Sequence, residues 1–184
     1  ASHSCSHAPL TKMMSAELYN EIFYSKKYLE KLFQQPITTF VYPYGLYSKS
    51  VADIVKQAGY TFARTTEQFI TKFEINKRFH HGVTLCDYYP TYHEFVKCLL
   101  RDIRFSIIVE SLMNKLRNAN PYAHMAKVVE KLVAERNGNS LIMLVIHPNL
   151  IEATGSWSLF EDILNVLSQE VEALTIREMF EIHE

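Results

Sequence analysis

Glycine and proline are scarce, five and six in 184 residues, which argues against a disordered or low-complexity chain. Cysteine occurs at Cys5, Cys86 and Cys98, an odd number with no CxxC pair. That excludes a disulfide framework and a zinc ribbon, and favours a reducing compartment. Neither sign of charge dominates: the formal net charge is −1, so no general pull toward nucleic acid or an anionic membrane follows. Long apolar runs are also missing. The longest, Leu141 to Ile146, suits a buried strand and excludes a helix that spans a bilayer. The chain opens on Ala1-Ser2-His3 without methionine or signal peptide, and the expectation is that the numbering begins inside a longer protein.

What is present is an ordinary globular composition, 48% hydrophobic and 21% charged, long enough for one domain over residues 1–184. Leu18, Ile22, Leu29 and Leu32 form a helical stripe within Ser15 to Phe33, with Glu17, Glu21, Lys26, Lys27, Glu30 and Lys31 as its polar face. Thr38 to Tyr42 reads as a strand ending in the turn Pro43-Tyr44-Gly45. Ser48 caps a helix that stops at Gly59, and Tyr60 to Thr65 is a second strand. The stretch from Thr66 to Pro90 has no clear pattern. Thr91 to Glu94 is a capping box ahead of a long helix carrying Phe95, Leu99, Ile103, Ile107 and Leu112. Tyr122 to Glu135 is another helix, Leu141 to Ile146 a strand, Leu159 to Leu167 a helix, Glu172 to Thr175 a strand, and a short helix closes the chain. Strands alternating with helices predict an α/β fold, a parallel sheet or barrel, whose chemistry gathers at the carboxyl ends of the strands. Tyr44 and His147 each follow a strand.

Three short segments carry chemistry. His3-Ser4-Cys5-Ser6-His7 places two imidazoles four residues apart, able to meet one divalent ion. Phe40 to Gly45 is a rigid turn presenting Tyr44 and its backbone N–H. Leu144-Val145-Ile146-His147-Pro148 holds an imidazole behind a buried strand, where it can serve as a general acid. Each segment also has a plain structural reading: a surface pair, a strand-ending turn, a capped strand end.

Taken in order, the segments resemble the polysaccharide deacetylases, the family-4 carbohydrate esterases. That family carries a histidine pair of the form H-S/T-x-x-H, matched by His3 to His7. Its F-x-x-P-Y-G turn is matched by Phe40 to Gly45, its a-G-Y-x-f-A stretch by Ala58 to Ala63, and its late L-x-L/I-H by Leu144 to His147. The resemblance is dense from His3 to Thr66 and again after Leu141. It implies an irregular (β/α) barrel, here incomplete at its N-terminus. It implies His3 and His7 as ligands of a divalent metal, most often zinc. Tyr44 matches the tyrosine whose backbone N–H holds the oxyanion, and His147 the acid that protonates the leaving amine. Tyr42, Pro43, Tyr44 and Trp157 are the expected substrate-binding residues, although a core role suits Trp157 better. The implied reaction is removal of acetyl from N-acetylated sugars of a polysaccharide or glycan precursor.

The sequence departs from the family in three places. The T-F-D-D-like segment that supplies a catalytic base and a third metal ligand is not in these residues. Val41 stands where many members carry arginine, and the family's aspartate–tryptophan segment is not recognisable. Two histidines make a poor metal site by themselves. The expectations are therefore weak metal binding and little or no activity for this chain alone, and an open sheet edge that invites self-association or pairing with a further segment. The rival readings are a non-catalytic carbohydrate-binding relative or partner subunit, with Tyr42, Tyr44 and Tyr47 stacking on sugars, and an unrelated zinc or structural module. His80, His81, Asp87 and His93 lie in the unmatched stretch; they have a substrate-facing reading, but solvated loop residues suit them better, and His124 reads as surface. The deacetylase reading expects His3, His7 and His147 to serve one cleft.

Overall fold

The computed structural model describes residues 1–89, 105–117, 119–136 and 140–183. The chain forms two compact units. The first comprises Ala1–Glu67, Phe73–Gly82 and Thr175–Glu184; the second comprises Gln68–Lys72 and Val83–Leu174.

In the first unit, helix α1 (Ser15–Phe33) buries Leu18 and Ile22 and ends where Gln34 turns left-handed at φ 52°. Its inner face is broader than the apolar stripe predicts. Lys26, expected on the polar face, is 8% exposed. Its ammonium donates to the Ile37 carbonyl, lies 2.9 Å from Glu30 and sits 4.8 Å over the Tyr60 ring. A buried ammonium persists only when it is paired in this way. Strand β1 (Thr39–Val41) follows, then the single turn Pro43–Gly45. Helix α2 (Lys49–Gln57) starts where the Ser48 hydroxyl accepts the Val51 N–H at 3.3 Å. Gly59 lies just beyond this helix at φ 83°, the left-handed position its sequence predicts.

Strand β2 (Phe62–Arg64) pairs parallel with β1, Phe40 facing Ala63. Single bridges extend the ladder on both sides, Ser2 to Phe40 and His81 to Arg64. The Ser2 N–H donates to the Thr39 carbonyl and the Val41 N–H to the Ser2 carbonyl, both at 2.8 Å. Ser2 is thus the last rung before the His3 turn, and its hydroxyl bonds Ser25 of α1 at 2.8 Å. The core beneath includes Ile22, Phe40, Tyr42, Val51, Val55 and Tyr60. The predicted strand at Glu172 to Thr175 does not form. Thr175 instead caps helix α7 (Ile176–His183): its hydroxyl accepts the Glu178 N–H at 3.2 Å, and Glu178 accepts the Thr175 N–H at 2.7 Å. This reciprocal capping box outweighs a short run of strand-forming residues.

The second unit is built on β3 (Leu85–Cys86) and β4 (Leu144–Val145), paired parallel with Cys86 opposite Val145. Helices α3 (Phe105–Leu116), α4 (Pro121–Ala134) and α6 (Trp157–Glu170) supply its core, which includes Ile107, Ile108, Met125, Val128, Val129 and Ile163. The short helix α5 (Pro148–Thr154) starts directly after His147 and has no counterpart in the sequence reading. The predicted strand Leu141 to Ile146 contracts to two residues. The predicted capping box at Thr91 to Glu94 and the start of its helix, with His93 and Cys98, lie outside the described residues. The architecture is α/β. Among the described residues each sheet has two named strands and neither closes into a barrel.

His124, expected at the surface, is 8% exposed on α4. Its ring lies 2.9 Å from Ser111 Oγ and 3.2 Å from Asn114 Nδ2, and stacks on Tyr89. Burial pushes its pKa down to about 4. The unfolded chain protonates this imidazole near pH 6.5, the folded chain only near pH 4. Stability is therefore intact above pH 6.5 and falls as the pH drops from there toward 4, by about 3 kcal/mol. Urea unfolding between pH 7 and 4 is expected to show this slope in the native protein and to lose it in His124→Gln.

Candidate active site

The N-terminal cluster begins where the ladder ends. After Ser2 the chain turns sharply, with Ser4 at φ 65° and His7 at φ 57°. Non-glycine residues in this left-handed region persist only when their surroundings hold them. Here the holding groups are visible. The Glu21 carboxylate of α1 accepts the N–H groups of Cys5 and Ser6 at 3.0 and 2.9 Å. Ser4 Oγ accepts the His7 N–H at 3.0 Å. His3 Nδ1 lies 2.8 Å from the Val41 carbonyl. A carbonyl only accepts, so Nδ1 carries the proton. Fixing the second nitrogen of a ligand histidine in this way is the usual support of a metal-binding imidazole.

The His3 and His7 rings lie edge to face, centroids 4.6 Å apart, and the Tyr44 ring meets His7 at the same distance. Tyr44 itself is left-handed, φ 57°, in the Pro43–Gly45 turn and is 59% exposed. The structure thus brings His3, His7 and Tyr44 together. Two adjacent imidazoles, one with its ring held by a backbone carbonyl, suit two positions of a divalent ion. Among the described residues no third histidine, cysteine or carboxylate completes a three-ligand group with them. Cys5 lies exposed in the turn, its thiol pKa raised first by burial and then by Glu21.

Two expected substrate contacts are corrected. Tyr42 is fully buried and its hydroxyl donates to the Phe79 carbonyl at 2.7 Å, so its ring belongs to the core; burial raises its pKa. Pro43 is buried as well. Tyr47 stays accessible and stacks on His80, centroids 5.5 Å apart. His81, expected in solvent, is 2% exposed and packs against Phe62 and Phe73.

The second cluster lies in the other unit, at the carboxyl ends of β3 and β4. Asp87, expected in a solvated loop, is completely buried. Its Oδ1 lies 2.6 Å from His147 Nδ1, while Oδ2 accepts the Tyr122 hydroxyl at 2.6 Å and the His147 backbone N–H. The imidazole is half exposed, its side chain at 51%. Nδ1–H points at the carboxylate, so Nε2 is the nitrogen left for proton exchange. Burial, and after it the bond to Asp87, raise the Tyr122 pKa. Tyr122 therefore donates its proton throughout the neutral range. Cys86 Sγ stands 3.8 Å from Asp87 Oδ1, and burial pushes its thiol up to about 11. Trp157, expected in the core, is 46% exposed and its indole N–H donates to Glu152 at 2.7 Å.

Sequence reasoning missed Tyr122 and Glu21, and it named Asp87 without its burial or its pairing with His147. A signal for Asp87 exists: Leu85-Cys86-Asp87 is a buried pair followed by a carboxylate, as Val145-Ile146-His147 is an apolar pair followed by an imidazole. Pairing Cys86 with Val145 sets these two ends side by side. Glu21 looks like any exposed glutamate on a helix.

The polysaccharide deacetylase family model matches residues 1–63. No curated protein matches the chain. Among solved structures, the Streptococcus pyogenes deacetylase PplD in complex with acetate is 24% identical with a TM-score of 0.42, over 45% of this chain and 37% of that one. A Bacillus cereus polysaccharide deacetylase is 31% identical with a TM-score of 0.39, over 45% of this chain and 26% of that one. The chain thus spans well under half the length of these solved relatives. Residues 1–63 of this chain are thus similar to the polysaccharide deacetylase family.

Proposed function

We propose that the chain is part of a metal-dependent hydrolase that removes acetyl groups from N-acetylated sugars, on a (β/α) barrel of the deacetylase type. The observation that carries this reading is the adjacent histidine pair beside Tyr44, within the residues that match the family. His3 and His7 hold the divalent ion, most often zinc in proteins with such ligands. When bound, the ion supplies Lewis acidity. Tyr44 sits against His7 with its backbone N–H available to a developing oxyanion, a contribution worth about 10²–10³ in rate. His147 delivers a proton from Nε2 to the leaving amine, and Asp87 holds its ring. Tyr44 offers an exposed ring to the sugar. The second reading, a carbohydrate-binding relative or partner subunit, rests on the two-ligand metal set.

Metal content after dialysis, measured with acetate release from chitin oligosaccharides, decides between them. Zinc bound weakly, as a two-histidine set allows, with acetate release, both lost in His3→Ala and His7→Ala, is the expected result. Zinc-free protein that binds the oligosaccharide without releasing acetate overturns the enzyme reading.

Glu21 is a positioning residue for the histidine turn. Glu21→Ala is expected to lower zinc affinity about 10–100-fold, as loss of a supporting partner does. Its effect on unfolding should be near 1 kcal/mol, because the Cys5 and Ser6 N–H groups are exposed and can bond water. Glu21→Gln keeps an acceptor oxygen and should restore most of the affinity. Calorimetric zinc titration measures both.

A further inference from the structure

We propose that Cys86, Asp87 and His147 form a binding site for a borderline or soft divalent cation, zinc or cadmium, whose occupancy blocks the proton transfer assigned to His147. The inhibitory consequence rests on the deacetylase reading; the binding itself does not. The donor atoms of the three side chains lie within 4.8 Å of one another. A tetrahedral zinc ion with sulfur and nitrogen ligands needs them about 3–4 Å apart; Cys86 Sγ and Asp87 Oδ1 already meet this at 3.8 Å, and loss of the proton between them lets His147 Nδ1 and Asp87 Oδ1 part from 2.6 Å to admit the ion.

The hydrogen bonding already has the required polarity. Both the Cys86 thiol and His147 Nδ1–H are directed at one atom, Asp87 Oδ1. A dication can replace those two protons without disturbing the other carboxylate oxygen. Oδ2 keeps its bonds from Tyr122 and from the His147 backbone N–H, which become the outer support of the site. Charge also balances. One thiolate and one carboxylate neutralise the dication, so burial leaves no net charge.

The proton balance is explicit. The thiol releases one proton to solvent on binding. The imidazole proton moves from Nδ1 to Nε2, and Nδ1 donates its lone pair to the ion. Nε2 then has no lone pair with which to take up another proton, and the acid–base cycle stops. The half-exposed imidazole marks the side from which the ion enters, since Cys86 and Asp87 are buried. The sulfur ligand selects zinc and cadmium over magnesium or calcium.

Cadmium titration followed by ultraviolet thiolate charge transfer tests this in the native protein. Expected are one band-forming ion per chain and one proton released. The band should persist in Cys5→Ser and vanish in Cys86→Ser. Tyr122→Phe should weaken binding about 10–100-fold. Circular dichroism establishes that each variant is folded. A band that survives in folded Cys86→Ser, or no band in the native protein, overturns the site whatever the acetate assay shows. Excess zinc should inhibit acetate release in the native protein and not in Cys86→Ser. Binding without inhibition would leave the site standing and overturn the assignment of His147 to proton transfer.

Discussion

Asp87→Ala is expected to lower the unfolding free energy by about 2–4 kcal/mol, measured by urea denaturation. Three donors converge on this buried carboxylate: His147 Nδ1, the His147 backbone N–H and the Tyr122 hydroxyl. Removing the acceptor leaves the Tyr122 hydroxyl and a backbone N–H without their partner, at about 1–3 kcal/mol each before any relaxation. Asp87→Asn separates stability from chemistry. Whichever way the amide turns, its NH₂ faces a donor. If it faces Nδ1, the imidazole is pushed into the opposite tautomer, with its proton on Nε2 and its lone pair inward. Acetate release should then fall by about 10²–10⁴, the range of a placed acid–base histidine. His147→Gln should reduce it as much with less loss of stability, because that ring is half exposed. The double variant should lose little more than either single one, as groups acting as a unit do. Full activity in Asp87→Asn alongside an inactive His147→Gln would sink the dyad.

Gly45→Ala is the second large effect. Gly45 has φ +67°, and an added Cβ would lie 2.2 Å from Thr66 Oγ1 and 2.7 Å from the Thr66 backbone nitrogen. The left-handed backbone costs about 1–2 kcal/mol in a residue with a Cβ. Overpacking against Thr66 adds about 1–3 kcal/mol. A total near 3 kcal/mol should appear in thermal and urea unfolding. Thr66→Ala should rescue only part of it, because the backbone contact remains. Gly155→Ala is the control: φ is +60° but nothing lies within 4 Å of the added carbon, so only the backbone cost of about 1–2 kcal/mol is expected. Equal losses at both glycines would show that Thr66 does not constrain the Tyr44 turn.

Local patterns made much of the first unit legible. The stripe of Leu18 and Ile22 predicts α1 at its observed limits, Ser15–Phe33. Ser48 and Gly59 bound α2 because capping and left-handed termination are decided by neighbouring residues. The segment from Thr66 to Pro90 was unreadable because its order comes from distant partners: Thr65 bonds His81, and Cys86 pairs with Val145. The failed strand at Glu172 shows the same competition, a weak strand preference against a strong cap. Exposure was misjudged at Asp87, His81, His124 and Trp157, since a polar or aromatic residue's burial depends on the partner it finds.

The residues by themselves determined which groups are available for chemistry, that a strand precedes His147 and that a proline–glycine turn bears Tyr44, because strand preference, proline and glycine act over a few positions. The tertiary structure alone decided that Asp87, sixty residues before His147, would orient that imidazole. It also decided that Glu21 would hold the histidine turn and that Tyr42 would be lost to the core. The reason is physical: a hydrogen bond between residues far apart in the chain exists only after the backbone has closed the loop between them, and no local propensity records which of the many closures lets buried polar groups find their partners.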